Sequence, residues 1–338
     1  MHVFVYEWAT GGGLVEEPGL LPGSLVREGS AMIGALAADL VKISGCQVSA
    51  LRDPRILQLA LPRCNVVDVI SKSSHRDEFE RLAAEADATI LIAPEFDGIL
   101  LAAARRVLDH GGRLLSPSAE FIGITSNKQR TCEALAAARV PAPQGRVIEP
   151  DEPLPEDFGY PAVLKPIDGA GSQDVYVVSG PHDTPHAYAW PRRLERFVPG
   201  LAASVALLCG PHSRIALAPC RQRISDDGRL RYLGGELPLP AGLAERAAGL
   251  AERALDALPP TTGYVGVDLI LGRDPHGGED VVIEVNPRLT TSYVGLRAAA
   301  RSNLAEAMWL VSQGQVPNIS FDTRPLEFDS AGNVSFLR

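Results

Sequence analysis

The sequence predicts an α/β protein: a unit with an open, mainly parallel sheet, followed from Ser118 by a region of different character with hairpin-like strands and helices. Two observations predict it. Up to Pro117, strand-length apolar runs alternate with helical patterns, the signature of strand–helix–strand units. Beyond Ser118, strands follow one another through Gly-, Asp- and Pro-rich turns, as in antiparallel hairpins.

The elements follow from local pattern. Residues 3–7 (VFVYE) form a short apolar strand, and a Gly-rich loop runs from Ala9 to about Gly23. A helix starts near Ser24 and reaches Ile43, with Gly45 as its stop. Gln47–Arg52, Asn65–Ile70 and Ala88–Ala93 read as buried strands, separated by helical patterns at Asp77–Glu85 and Gly98–His110. Glu120–Ile124 and Lys128–Arg139 are helical, and a Pro-rich stretch from Pro141 leads to a strand at Pro161–Lys165 with a hairpin partner at Asp174–Val178. Strands follow at Leu194–Val198, Ser204–Cys209 and Arg231–Leu233, then a helix at Leu243–Ala257 and strands at Tyr264–Leu271 and Asp280–Asn286. Ser292–Gln313 begins as a loop and becomes a helix, and the tail from Val316 is weakly patterned.

Composition narrows the function. The 338 residues are 46% hydrophobic, which allows a sizeable core, and the net charge of −9 argues against nucleic acid or an anionic membrane as partner. No apolar run reaches the roughly 18 residues of a membrane helix. The N-terminus lacks a basic leader pattern and reads as a strand, so a cytoplasmic location is expected. Cysteines 46, 64, 132, 209 and 220 are scattered without a CxxC pair and fit free thiols. Of the 32 basic residues only Lys42, Lys72, Lys128 and Lys165 are lysines, and the last two sit in the segments that look most like nucleotide-binding stretches.

The strongest chemical signal is a pair of strands. In YVGVDLIL, Gly266, Asp268 and Ile270 share one face; in DVVIEVN, Glu284 and Asn286 point away from the apolar face of Val281, Ile283 and Val285. A hairpin centred on His276 sets Asp268 directly opposite Glu284. Two facing carboxylates destabilise a sheet, by about 4 kcal/mol at ~4 Å and an effective dielectric of ~20. A divalent cation removes that penalty, and magnesium takes this oxygen-donor set of Asp268, Glu284 and Asn286 while keeping positions for phosphate oxygens. The plain alternative is that the carboxylates face solvent or that one is protonated.

The nucleotide signal is weaker residue by residue. VLKPIDGAGSQDV puts Lys165 at the end of an apolar strand, before a loop whose small residues Gly169, Gly171 and Ser172 let backbone N–H groups close on phosphate. The loop runs into a strand, so it is not the Gly-Lys-Ser/Thr phosphate loop that opens a helix. Lys128 follows Thr125-Ser126-Asn127, a plausible helix cap; alone it reads as a surface lysine. LERFVPG is a short apolar strand whose backbone can face an adenine ring.

In their order, SNKQRTCEAL, PAVLKPIDGAGSQDVYVV, LERFVPGLAASVALL, GYVGVDLIL and VVIEVNPRLTTSYVGL resemble the motifs of ATP-grasp ligases over roughly residues 115–312. The resemblance implies a Rossmann-like pre-grasp domain at 1–117, a small lobe with linker helices at 118–193, a large lobe with the metal site at 194–314 and a tail at 315–338. It implies that Lys128 and Lys165 bind the nucleotide phosphates, that Glu195, Phe197 and Val198 border adenine, and that Asp268, Glu284 and Asn286 bind magnesium. Two ions are expected, with manganese as a substitute. Arg288 would contact the acyl-phosphate oxygens and, with Lys165, carry the catalysis. One departure is clear: Ala202 stands where the family usually has a ribose-binding Glu.

More narrowly, VYEWATGGG, LVREGSAMIGALAADL, IAPEFDGIL and EVNPRLTTSYVGL resemble the tyramine–glutamate ligase family of methanofuran biosynthesis. That resemblance implies ATP-driven amide formation between the γ-carboxylate of glutamate and the amine of tyramine, or of tyrosine as in a related methylotroph cofactor. Thr290, Thr291 and Ser292 would hold the amino acid, and Glu28, Glu95 and Gln222 its polar groups. Partners would be small amino-acid and amine substrates, and a homodimer is allowed. Alternatives are a ligase for another amino-acid or peptide pair, or a non-catalytic nucleotide binder, which Ala202 favours. A dinucleotide oxidoreductase using Gly11–Gly13 is disfavoured, because the loop continues through Pro18 and Pro22 before any helix. His182 and His186 flank Pro185 and do not read as a metal pair on one helix face.

Overall fold

The computed structural model describes residues 1–169, 173–183 and 188–337. The first unit runs β1 (His2–Glu7), α1 (Gly23–Leu40), β2 (Gln47–Arg52), β3 (Asn65–Asp68), α2 (Lys72–Glu85), β4 (Ala88–Ile92) and α3 (Ile99–Asp109). Its strands pair in the order β3-β2-β1-β4, all parallel. Helices on both faces explain why the strands read as unbroken apolar runs. Ile33, Leu36 and Leu40 of α1 pack with Val3 and Val5; Phe79, Leu82, Leu100 and Val107 of α2 and α3 pack with Phe4.

Strand order reverses at β1: the chain leaves through β2 and β3, then returns on the other side as β4. The carboxyl ends of β1 and β4 therefore border a crevice where such sheets bind ligands. Glu7 closes β1, and Pro94–Glu95 follows β4. The Trp8 N–H donates to the Ile92 carbonyl at 2.9 Å and ties the two exits together. The glycine triplet packs here rather than opening a helix. Gly12 has φ +94°, and a Cβ there would lie 2.3 Å from Val69.

Two helices, α4 (Ala119–Thr125) and α5 (Lys128–Ala137), lead on. The Asn127 side chain accepts from the Arg130 N–H, the cap the sequence indicates. Next comes a four-stranded antiparallel sheet in the order β5-β8-β6-β7: β5 (Gly145–Ile148), β6 (Ala162–Pro166), β7 (Tyr176–Val178) and β8 (Arg192–Arg196). Ile148, Ala162, Leu164, Val178 and Leu194 form its core. The Pro-rich stretch thus hides a strand, β5, and β8 starts two residues before the expected Leu194.

The remaining chain builds an eight-stranded sheet from β9 (Leu201–Cys209), β10 (Arg214–Ala216), β11 (Cys220–Ile224), β12 (Tyr232–Leu237), α6 (Ala241–Asp256), β13 (Gly263–Leu271), β14 (Val281–Asn286), α7 (Ser292–Ala299), α8 (Leu304–Ser312), β15 (Leu326–Asp329) and β16 (Val334–Phe336). In α6 the buried residues Ala247, Leu250, Ala251, Ala254 and Leu255 repeat at helical spacing and cover the apolar face of β9 and β13. The segment 292–313, expected to begin as a loop and become a helix, is helical from Ser292 and forms two helices. Ala300 is extended at ψ 135° and ends α7, and Asn303 caps α8. Buried Asp39 of α1 accepts from Tyr293 Oη at 3.0 Å and from both edge nitrogens of Arg297, joining the first unit to α7.

The tail is not structureless. β15 pairs with β12 and β16 with β15, and Leu326 and Phe328 are buried. Among the described residues, no helix is long and apolar enough to cross a membrane, and the five cysteines are free thiols.

Candidate functional site

A cavity of about 590 Å³ opens between the two antiparallel sheets. Its floor is the face of β9, β13 and β14 that α6 does not cover. Ser204, Asp268 and Glu284 form one row across that floor, since Asp268 pairs with Ser204 on one side and Glu284 on the other. The hairpin register is therefore the one the alternation predicts at this row. It does not persist toward the turn. Leu269 pairs with Val282, so Ile283 is an extra, bulged residue. The bulge turns Ile283 out of the apolar face expected for it and into the cavity lining.

The carboxylates are held differently. Asp268 accepts from Gln222 Nε2 at 2.9 Å and Asn286 Nδ2 at 3.0 Å. Burial and then the charge of Glu284 push its carboxyl up to about 6. Burial acts the same way on Glu284, but Lys128 and Lys165 outweigh it and hold that carboxyl below its ordinary value. Lys128 Nζ lies 2.8 Å from Glu284 Oε1 and donates to the Gly169 carbonyl at 2.6 Å. Its backbone N–H is anchored on the Ile167 carbonyl at 2.8 Å. A helix start, the phosphate-type loop and the carboxylate strand thus meet at one ammonium.

Lys165 is the penultimate residue of β6 and pairs with Glu195 Oε1 at 2.5 Å, both side chains buried. Glu195 also accepts from Arg193 Nε at 3.2 Å. Its carboxylate is occupied by two cations, and its backbone is paired with Gly145 on one side and Val163 on the other. Phe197 N–H donates to the Pro161 carbonyl, while the Val198 N–H, at the cavity wall, has no partner among the described residues. Ala202 and Ile270 are paired neighbours on the floor, and Ala202 leaves no polar group there.

At the other end, Thr290 Oγ1, Ser292 Oγ and Tyr264 Oη hydrogen-bond to one another at 2.8–3.2 Å. Thr290, Thr291, Ser292, Gln222 and Glu28 all line the cavity, with Tyr232 and Phe328 beside them. Sequence reading missed Phe328 because it lies in the tail. Glu28 makes no hydrogen bond or ion pair among the described residues; burial raises its carboxyl above the ordinary value, against the pull of Arg288 and Arg27. Glu95 departs from expectation. Both its oxygens bind Arg288, at 2.9 and 3.2 Å, and it is not part of the cavity wall. Gly171, Ser172 and His186 lie outside the described residues.

The residues present fit a hard divalent cation: two half-buried carboxylates across a hairpin and an amide that can present its oxygen. No group of three or more His, Cys, Asp or Glu side chains assembles among the described residues, so phosphate oxygens or water must complete the coordination shell.

Residues 125–292 match the ATP-grasp domain family, and residues 46–122 match the pre ATP-grasp 3 domain. The chain belongs to the ATP-grasp superfamily. It is an ADP-forming, C–N bond-forming ligase that uses ATP with magnesium. This ATP-grasp chain is 23% identical to the tyramine–L-glutamate ligase of Methanocaldococcus jannaschii over 308 residues, 90% of this chain and 87% of that one. It is 30% identical to the D-alanine–D-alanine ligase of Geobacter sulfurreducens over 179 residues, 48% of this chain and 55% of that one. An ATP-grasp superfamily protein from Archaeoglobus fulgidus has the same fold, with a TM-score of 0.72 at 22% identity over 97% of this chain and 92% of that one.

Proposed function

We propose that this ligase joins the side-chain carboxylate of glutamate to the amine of tyramine or tyrosine. The observation that carries the chemistry is convergence: Lys128, Lys165, Arg288 and the Asp268–Glu284 pair line one cavity. The substrate reading is supported by similarity to a tyramine–L-glutamate ligase across both domains. It is also supported by the cavity's chemistry, since a free carboxylate, Glu28, and two aromatic rings, Tyr232 and Phe328, line the same cavity.

In this reading Phe197 and Ile270 border the adenine and the Val198 N–H donates to it. Lys128, Lys165 and the Gly169 loop face the phosphates, where Gly171 and Ser172 would add donors. Asp268, Glu284 and the Asn286 amide oxygen hold magnesium. When bound, the cation offsets phosphate charge and aligns the transferred group. A glutamate carboxylate oxygen, placed by Thr290, Thr291 and Ser292, attacks the γ-phosphorus, and ADP leaves. Arg288 then holds the acyl-phosphate oxygens while the amine attacks the carbonyl carbon and phosphate departs. Glu28 anchors the amine substrate before it reacts. Fixed positive charge aimed at developing negative charge is the main catalytic device.

The test is ADP release with glutamate plus tyramine or tyrosine. ADP formation that needs both partners supports the reading; no ADP from any carboxylate–amine pair in a broad panel sinks it.

A further inference from the structure

We propose that Glu95 is a positioning residue that sets the Arg288 guanidinium, and that its loop couples the parallel-sheet unit to both walls of the nucleotide cavity. The inference rests on the role given to Arg288 above. Glu95 and Arg288 are separated by 193 residues in sequence, yet form a two-pronged pair at 2.9 and 3.2 Å. Their side chains are 4% and 14% exposed. A buried arginine needs a counter-charge, and a forked contact fixes its plane as well as its charge.

The donor count shows what this leaves free. A guanidinium has five N–H groups. Nε and one Nη2 proton go to Glu95, and one Nη1 proton goes to the Leu289 carbonyl at 3.2 Å. Two N–H groups remain, and Arg288 lines the cavity. Glu95 lies outside that lining, so it acts on substrate through Arg288.

The same loop has a second attachment. Asp97 has φ +53° and Gly98 φ +66°, consecutive left-handed residues, the first of them not a glycine. A non-glycine residue holds such a conformation at a cost and keeps it only where its surroundings impose it. It turns the Asp97 N–H to Asp168 Oδ2, at 3.2 Å, in the loop after Lys165. Residues 95–97, at the exit of β4 where strand order reverses, therefore touch both the end of the carboxylate strand and the phosphate-type loop.

The experiment is a double-mutant cycle with E95Q, E95D, R288A and E95Q/R288A. Three quantities are read: kcat for ADP release, ATP affinity by calorimetry, and binding of inorganic phosphate in the presence of ADP and magnesium. We expect E95Q to lower kcat about 100-fold, weaken phosphate binding about tenfold, and leave ATP affinity within about threefold. E95D should recover part of the loss, and E95Q should add nothing in the R288A background. An E95Q kcat and phosphate affinity within threefold of the parent, or losses that add in the double variant, would overturn the proposal. The phosphate arm needs no amine or carboxylate. A parent inactive with every substrate pair would therefore count against the ligase reading, while phosphate binding still decides the role of Glu95.

Discussion

Lys128 Nζ lies 2.8 Å from Glu284 Oε1, so a side chain at the start of α5 is bound to the strand that carries the proposed metal ligands. The ammonium also holds the Gly169 carbonyl at 2.6 Å. One buried charge thus fixes the spacing between the phosphate-type loop and the carboxylate strand.

Lys128→Met should therefore weaken ATP. A lost hydrogen bond to a charged group is worth about 1.5–3 kcal/mol, roughly a 10- to 100-fold rise in Kd. Calorimetric titration with ATP and magnesium checks this; an unchanged Kd would remove Lys128 from the nucleotide site.

The Asp268–Glu284 pair predicts opposite effects on stability and on metal binding. Asp268→Asn removes one of two facing half-buried carboxylates. Without a divalent ion the variant should melt about 1–2 °C above the parent, the shift that relief of about 1 kcal/mol produces in a chain of 338 residues. Manganese should stabilise the parent and not the variant. A variant that melts lower without metal, yet still gains stability from manganese, would contradict this account of the row.

Glu7 gives a pH signature. It is buried at the end of β1, and a Cβ on Gly29 would lie 2.6 Å from its carboxylate oxygens, so only glycine fits beside it. Burial pushes its carboxyl from 4.5 up to about 7, against hydrogen bonds from Thr10 and Ala9. Because the folded value is raised, the proton favours the fold. That contribution is complete below pH 4.5 and is lost as pH rises through 7. The shift corresponds to roughly 3 kcal/mol at most. Glu7→Gln should therefore gain on the parent by up to that amount between pH 4.5 and 8 in denaturant titrations. Parallel stability curves for the two proteins would show that Glu7 does not titrate in this window.

Ala202 predicts a gain. Its side chain faces the cavity beside Ile270 and offers no hydrogen-bonding group. Ala202→Glu should supply an acceptor for the ribose hydroxyls and lower the Kd for ATP about tenfold. An equal or higher Kd would mean that this chain holds ribose in another way.

How much of this was legible in sequence depends on range. The Asp268–Glu284 row was readable because side-chain alternation and a nearby turn fix an antiparallel register locally. The bulge at Ile283 was not, because nothing in VVIEVN marks which residue goes unpaired. β15 was missed for a related reason: it is short, preceded by Pro325, and shows only Leu326 and Phe328 as an apolar pair. The sequence also assigned Glu95 a substrate contact and Glu195 an adenine contact. Their carboxylates are instead committed to Arg288 and to Lys165 with Arg193, pairings that only the packing of distant segments creates.

The most direct test of the ligase chemistry follows the carboxylate oxygen. With glutamate labelled by ¹⁸O in its side-chain carboxylate, ATP, magnesium and the amine, an acyl-phosphate route transfers one ¹⁸O to each phosphate released. Mass spectrometry should find singly labelled phosphate in step with ADP and amide. Amide and ADP formed with unlabelled phosphate would contradict the account.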